Sequence, residues 1–323
     1  MMRFYKNIQW LALTVIFTIL LSGSFFLRNR HERTIYKTSI SPTKSALSLA
    51  PLKHVTKSIA ELGKMDEINK YFLLLNNVPK CGSEILVLLL QKLQGLNNYR
   101  HVRLKEGNKR HLTNLQQEYL VYDMFDMMKR QAVPLSFDRH VYFINFTNFD
   151  RQFPTYINLL RNPVDKVISR TSFKGKDKKQ DYYYKCLMHK KNNCNYKNGQ
   201  PYDLSIPYFC GHDPRCQILN NDWALQTARS NVEKYYPVVG ILEELNATLE
   251  ILETKIPYFF KGAQKTYEKY FIHIQKSHDR PKAPRAVKRK LEETLIHEMD
   301  FYEWNKARLF KQLKILYGEH PSH

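Results

Sequence analysis

Lys80-Cys81-Gly82-Ser83 follows an unbroken apolar run at residues 71–75 and is followed at once by another at 85–90. Strand, tight turn and helix start in that order make an anion cradle. Gly82 lets the backbone approach a phosphate, the unpaired N–H groups of a helix start and the Ser83 hydroxyl point at it, and Lys80 supplies a cation. The loop is not G-x-x-x-x-G-K-[ST], which occurs nowhere in the chain; here the lysine precedes the glycine. A second constellation is Arg161-Asn162-Pro163, after an apolar run, with Ser169 two helical turns on. Pro163 suits a first helical position, so Arg161 and Ser169 are placed to grip a further phosphate together. His140, in Arg139-His140-Val141, is by residue type either a structural imidazole or a general base.

Positioning these groups requires a scaffold, and the chain supplies strand-like runs paired with helical ones: 71–75 with 85–93, 155–160 with 164–170, and 238–241 with 245–252. This alternation predicts an α/β domain around a parallel sheet. Residues 221–235 have helical spacing, with Trp223, Leu225 and Ala228 as a packing face. The tail at 286–316 reads as one helix through Leu291, Leu295, Met299 and Tyr302. Ahead of this body (71–323) lie a tail at 1–7, an uncharged apolar segment at 8–27 and a stem at 28–70 rich in Ser, Thr and Lys. The apolar segment matches the ~20 residues that cross a bilayer and reads as an uncleaved anchor, although Ser22-Gly23-Ser24 offers small residues near its end. Arg3 and Lys6 before it, and Arg28, Arg30 and Arg33 after it, leave orientation undecided by positive charge.

With 51 Lys and Arg against 30 Asp and Glu, the formal charge of +21 selects a polyanionic partner: nucleic acid, an anionic membrane or an acidic polysaccharide. A hydrophobic content of 43% excludes a disordered chain. Cys186/Cys194 and Cys210/Cys216 form two close couples and Cys81 stands apart, with no C-x-x-C and no zinc-like His spacing. We read two short-loop disulfides, one free thiol and no metal site. The sequons at Asn145 and Asn246 agree with a luminal body, which argues against nucleic-acid binding in nucleus or cytosol. Three basic runs are available for sulfates and carboxylates: Lys105, Lys109, Arg110 and His111; residues 174–179 with Lys174 and Lys176; and Lys276, Arg280, Lys282 and Arg285.

The loop, the Arg161-Asn162-Pro163 segment and Ser169, in this order, resemble the sulfotransferases that use 3′-phosphoadenosine-5′-phosphosulfate (PAPS). Residues 139–146, 206–212 and 239–245 bring the chain closer to the uronosyl 2-O-sulfotransferases of glycosaminoglycan synthesis. The Pro79-to-Ser83 loop and Arg139-His140-Val141 are nearer the dermatan/chondroitin uronyl enzymes and insect Pipe proteins than the heparan sulfate enzymes. The resemblance covers about residues 71–310 and implies a P-loop-like sulfotransferase fold with a central parallel sheet flanked by helices. It further implies a Golgi type II membrane protein with a luminal domain.

In residue terms, the resemblance implies Lys80 on the bridging and sulfuryl oxygens of PAPS, and Cys81, Gly82 and Ser83 around the 5′-phosphate. Arg161 and Ser169 would take the 3′-phosphate, and His140 would be the base that deprotonates a uronic acid 2-hydroxyl. No metal is required. The family pairing is Cys186–Cys194 and Cys210–Cys216, and relatives form oligomers. Three positions depart from the family pattern: Asn77 and Lys166 stand where Arg is usual, and Asn162 where Asp is usual. Lys lacks the forked donor geometry of Arg, so the expectation is either an altered phosphate affinity or compensation by other residues. The segment at 170–179 is shorter than usual, which leaves the acceptor open, including a Pipe-like glycoprotein glycan. Two further readings fit anchor and stem: a Golgi glycosyltransferase, although no two Asp are separated by one position, and a polyanion-binding protein on a sulfotransferase fold.

Overall fold

All three apolar runs read as strands are strands. In the computed structural model, which describes residues 67–105, 109–131, 133–172, 204–273 and 283–318, they are β1 (Ile68–Asn76), β4 (Phe153–Leu160) and β5 (Val238–Ile241). β4 is buried along its whole length and β1 from Phe72 onward, as expected of inner parallel strands with neighbours on both edges. Two further strands, β2 (Arg100–Arg103) and β3 (Leu135–Arg139), carry no apolar run. β2 has charged ends, and Ser136 and Asp138 interrupt β3.

The sheet runs β2-β3-β1-β4-β5 with every pair parallel. From β1 the chain goes outward to β2 and returns to β3 on one side, then continues to β4 and β5 on the other. In open sheets of this kind ligands bind beyond the carboxyl ends of the strands, where that direction reverses. The segments that leave β1, β3, β4 and β5 at those ends begin at Asn77, His140, Arg161 and Leu242.

Helices flank the sheet. α1 (Glu84–Leu93) buries six apolar residues. α2 (Asn114–Arg130) starts with a capping box, in which the Thr113 hydroxyl accepts from the Gln116 amide and the Gln116 side chain accepts from the Thr113 amide. α3 (Pro163–Ser172) follows β4, and the short α4 (Pro207–Cys210) leads into the Cys210–Cys216 disulfide. α5 (Asp222–Tyr235) is capped by Asn221 and packs Leu225 and Ala228 inward, while Trp223 is 39% exposed beneath the Arg215 guanidinium instead of in the core. α6 (Leu245–Lys255), α7 (Pro257–Phe260) and α8 (Ala263–Tyr270) follow β5, and α7 and α8 pack against α1.

The tail, expected as one helix, is two: α9 (Arg285–Thr294) and α10 (Ile296–Leu316), divided at Leu295. The break serves two cores. Leu291 and Leu295 pack with Val164, Val167, Ile168 and Leu204, whereas Phe301, Tyr302 and Leu309 join the main core. Buried polar side chains tie the sheet to the α4 segment: Asn76 donates to the Tyr208 carbonyl (2.7 Å), and Asn158 donates to the Asn76 carbonyl (2.7 Å). Among the described residues no helix is long and apolar enough to cross a membrane; the expected anchor at 8–27 and the stem lie outside them.

Candidate active site

The loop after β1 has the backbone of an anion cradle. Lys80 (φ 63°) and Gly82 (φ 75°) both take the left-handed conformation, uncommon for a lysine, so the chain doubles back before α1 begins. Gly82 is favoured by its φ, which suits glycine, and a Cβ there would lie 2.7 Å from Leu242 Cδ1 and require that side chain to shift. The first N–H groups of α1 have no intrahelical acceptor and carry the positive end of the helix dipole. Cys81 contributes backbone only. Its side chain is fully buried, and burial pushes the thiol up to about 11. Ser83 is buried as well, with its hydroxyl 3.4 Å from the Val78 carbonyl.

Three cations bear on this loop. Arg161, at the end of β4, reaches the Lys80 carbonyl (3.4 Å). Burial, and then the fields of Arg161 and Arg170, lower the Lys80 ammonium below its usual pKa. Like charges gathered in this way repel until a polyanion joins them, and binding one relieves that cost. Arg170 was not singled out from the sequence; its place directly after Ser169 is the only linear signal for it. Ser169 is half-buried, near the middle of α3.

His140 follows β3 and is held by the same loop. Its Nδ1 lies 2.8 Å from the Asn77 carbonyl oxygen. A carbonyl only accepts, so Nδ1 carries the hydrogen, and in the neutral ring Nε2 keeps its lone pair. That is the tautomer of a general base. Asn77 is fixed in turn: its N–H donates to the Arg139 carbonyl (2.9 Å), and its Nδ2 donates to Asp138 Oδ2 (3.1 Å). Asp138, 1% exposed, also meets His101 Nε2 at 3.0 Å and Arg103 Nε at 3.4 Å. Asp138, Asn77 and His140 thus form a chain of support leading to one imidazole. Asp138 is invisible to linear reading because its importance comes from β1–β3 register, which sets Leu75 against it.

The two departures on the β4–α3 segment have local explanations. Asn162 caps α3, its Oδ1 accepting from the Val164 and Asp165 amides at 3.0 and 3.2 Å, a role that Asn fills as well as Asp. Glu243 pins the same turn. One of its oxygens accepts from the Asn162 amide (3.0 Å), and the other accepts from the Tyr302 hydroxyl (3.1 Å). Lys166 is turned into the fold. It is 1% exposed, and its ammonium donates to Ser205 Oγ (2.7 Å), away from solvent. Glu298, equally buried, accepts from the Ser205 and Ile206 amides (2.7 and 2.9 Å). Burial raises its pKa against the opposing charge of Lys166. Lys166 therefore holds α3 to the segment before α4 and to α10.

Of the basic runs, Lys105 and Lys109 are exposed and Arg110 is half-buried, with its carbonyl accepting from the Tyr142 amide (3.3 Å). Lys174, Lys176, Lys276, Arg280 and the couple Cys186/Cys194 lie outside the described residues. Asn145 turns its side chain onto Thr147, its Oδ1 accepting from the backbone amide (3.2 Å) and hydroxyl (2.6 Å), whereas Asn246 is exposed in the first turn of α6.

An open parallel sheet with a cation-lined anion loop at its reversal point defines an α/β protein of the phosphate-loop kind. The chain belongs to the sulfotransferase family, whose model, described as "Sulfotransferase family", matches residues 68–305. It is 31% identical to the uronyl 2-sulfotransferase of Homo sapiens over 269 residues, covering 75% of this chain and 63% of that protein. It is 28% identical to the uronyl 2-sulfotransferase homolog pip of Drosophila melanogaster over 281 residues, covering 76% and 53%. It is also 25% identical to heparan sulfate 2-O-sulfotransferase 1 of Xenopus laevis over 293 residues, covering 82% and 81%. The chain thus spans less than two thirds of the length of the uronyl relatives it matches.

Proposed function

We propose that this protein transfers the sulfuryl group of PAPS to the 2-hydroxyl of a uronic acid in a glycosaminoglycan-type acceptor. The observation that carries the reading is His140, held with Nε2 as the proton acceptor by the very loop that cradles the donor. The chemistry follows from these residues. His140 Nε2 takes the proton of the 2-hydroxyl as that oxygen attacks sulfur in line, the sulfur–oxygen bond to the 5′-phosphate breaks, and adenosine 3′,5′-bisphosphate leaves. A placed base of this kind supplies roughly 10²- to 10⁴-fold in rate. Lys80 and the loop N–H groups stabilise charge growing on the leaving phosphate, and Arg161, Arg170 and Ser169 hold the 3′-phosphate end.

A strongly positive net charge and relatives named for uronyl and heparan sulfate sulfation support an acidic polysaccharide as acceptor. We further propose that residues 8–27 anchor the chain in the Golgi membrane with residues 71–323 luminal and Asn246 glycosylated, that Cys186 pairs with Cys194, and that the protein forms oligomers. The test is incubation of the full chain with labelled PAPS and chemically desulfated chondroitin, dermatan and heparan chains, followed by disaccharide analysis. Transfer to a uronic acid 2-position is expected; no transfer to any of the three overturns the polysaccharide reading.

A further inference from the structure

A groove of about 710 Å³ lies between the segment before α2 and the end of β3, within the range of roughly 300–1,000 Å³ typical of preformed ligand sites. Leu112 and Leu120, both buried, form its floor; Tyr119, Tyr122, Lys109 and Arg139 stand around it. Tyr119 and Tyr122 are 67% and 62% exposed, an arrangement that packing does not explain. Placed i and i+3 on α2, they share one helix face. Their rings offer flat apolar faces with polar edges, which suits the C–H face and hydroxyl rim of a pyranose.

The groove is joined to the reacting centre. Arg139 directly precedes His140, and the wall that carries Lys109 and Leu112 is bonded to the segment that follows it, Tyr142 N–H donating to the Arg110 carbonyl at 3.3 Å. That wall is also held from behind: the Leu112 amide donates to His212 Nδ1 (3.0 Å), and His111 Nε2 donates to the His212 carbonyl (2.7 Å). Burial, and then His111, hold His212 down to about 3, so the His212 ring stays neutral across the physiological range. Lys109 and Arg139 give the groove positive charge, and Asp123 tempers it. A single carboxylate or sulfate per ring matches that balance better than a dense run of sulfates. A second protein chain would need a continuous apolar face, which these charged groups interrupt.

We propose that this groove is an acceptor subsite for an acidic polysaccharide, with Tyr119 and Tyr122 stacking a sugar ring and Lys109 and Arg139 pairing with its carboxylate or sulfate. The proposal rests on the sulfotransfer reading and names how that activity holds its acceptor. The test compares the full chain with its Tyr119→Ala/Tyr122→Ala and Tyr119→Phe/Tyr122→Phe variants. Binding to immobilised, chemically desulfated dermatan is measured at fixed salt with adenosine 3′,5′-bisphosphate present, together with nucleotide affinity and acceptor KM.

Loss of both rings should weaken polysaccharide binding about tenfold, the scale of one or two aromatic contacts. Nucleotide affinity should stay unchanged, and the Phe pair should stay close to wild type because it retains the faces. Wild-type binding and acceptor KM in the Ala pair, or equal loss of nucleotide binding, would overturn the subsite. If the Ala pair loses polysaccharide binding while the wild-type chain transfers no sulfate, the sulfotransfer reading fails and the subsite stands. Transfer that persists with an unchanged acceptor KM has the opposite meaning.

Discussion

Asn77→Asp exchanges an amide for a carboxylate of nearly the same volume, and the surroundings of Asn77 set its cost. Its Nδ2 donates to Asp138 Oδ2 at 3.1 Å, with both residues at most 2% exposed. Aspartate replaces that donor with an acceptor. If both carboxylates remain ionised at this separation, they repel by roughly 5 kcal/mol at an effective dielectric constant near 20. If the pair takes up a proton instead, neutralising an aspartate of ordinary pKa about 3.9 costs about 4 kcal/mol at pH 7 and about 1.5 kcal/mol at pH 5. The second route is the cheaper at both values. The folded pair then binds protons more tightly than the unfolded chain, so stability is lost as pH rises. His101 and Arg103, which also reach Asp138, moderate the upper figure. Urea unfolding of the full chain and the variant should show a deficit of about 4 kcal/mol at pH 7 that shrinks to about 1.5 kcal/mol at pH 5. Turnover should fall too, since losing the tie to Asp138 lets the loop shift the Asn77 backbone carbonyl that orients His140. A deficit below about 1 kcal/mol, equal at both pH values, would refute the reasoning and return Asn77 to the status of a spacer.

His140→Ala should lower kcat by about 10²- to 10⁴-fold while calorimetry finds adenosine 3′,5′-bisphosphate bound as before; wild-type turnover would remove His140 from the base role. Because the Lys80 pKa lies below its usual value, its charge is lost earlier as pH rises. Nucleotide affinity should therefore weaken in a range where a free lysine, with pKa about 10.4, is still charged, and Lys80→Arg should flatten that profile. The Cys81 thiol, buried and pushed up to about 11, should resist iodoacetamide at pH 8 in the folded chain and react only on unfolding, as read from the peptide that contains it. Complete labelling of that peptide under native conditions would contradict its burial.

How far the site was legible depends on what each residue contributes. Lys80, Gly82, Arg161 and the run before each announce themselves because strand, glycine turn and helix start are local events, and so are the inner strands they follow. β2, β3 and α2 carry weaker marks. Their register is set by neighbours distant in sequence, so Asp138 and the tyrosines of α2 acquire meaning only once the sheet is assembled. The residues that depart from the family pattern show the same division. Asn162 stands where Asp is usual and changes nothing at the cap, since both side chains accept the amides of α3. Lys166 looks like a weakened phosphate ligand on a list of charges, yet packing turns it inward to Ser205 and Glu298. Its loss should therefore leave Glu298 without its cation and loosen α3 before it touches the nucleotide. Asn77 goes the other way: a polar residue at the edge of a turn becomes, through one amide to Asp138 and one carbonyl to His140, the group that selects the imidazole tautomer. Residue type tells which chemistry is available; which side of the chain a group faces decides whether it is used, and that is a property of the packed fold.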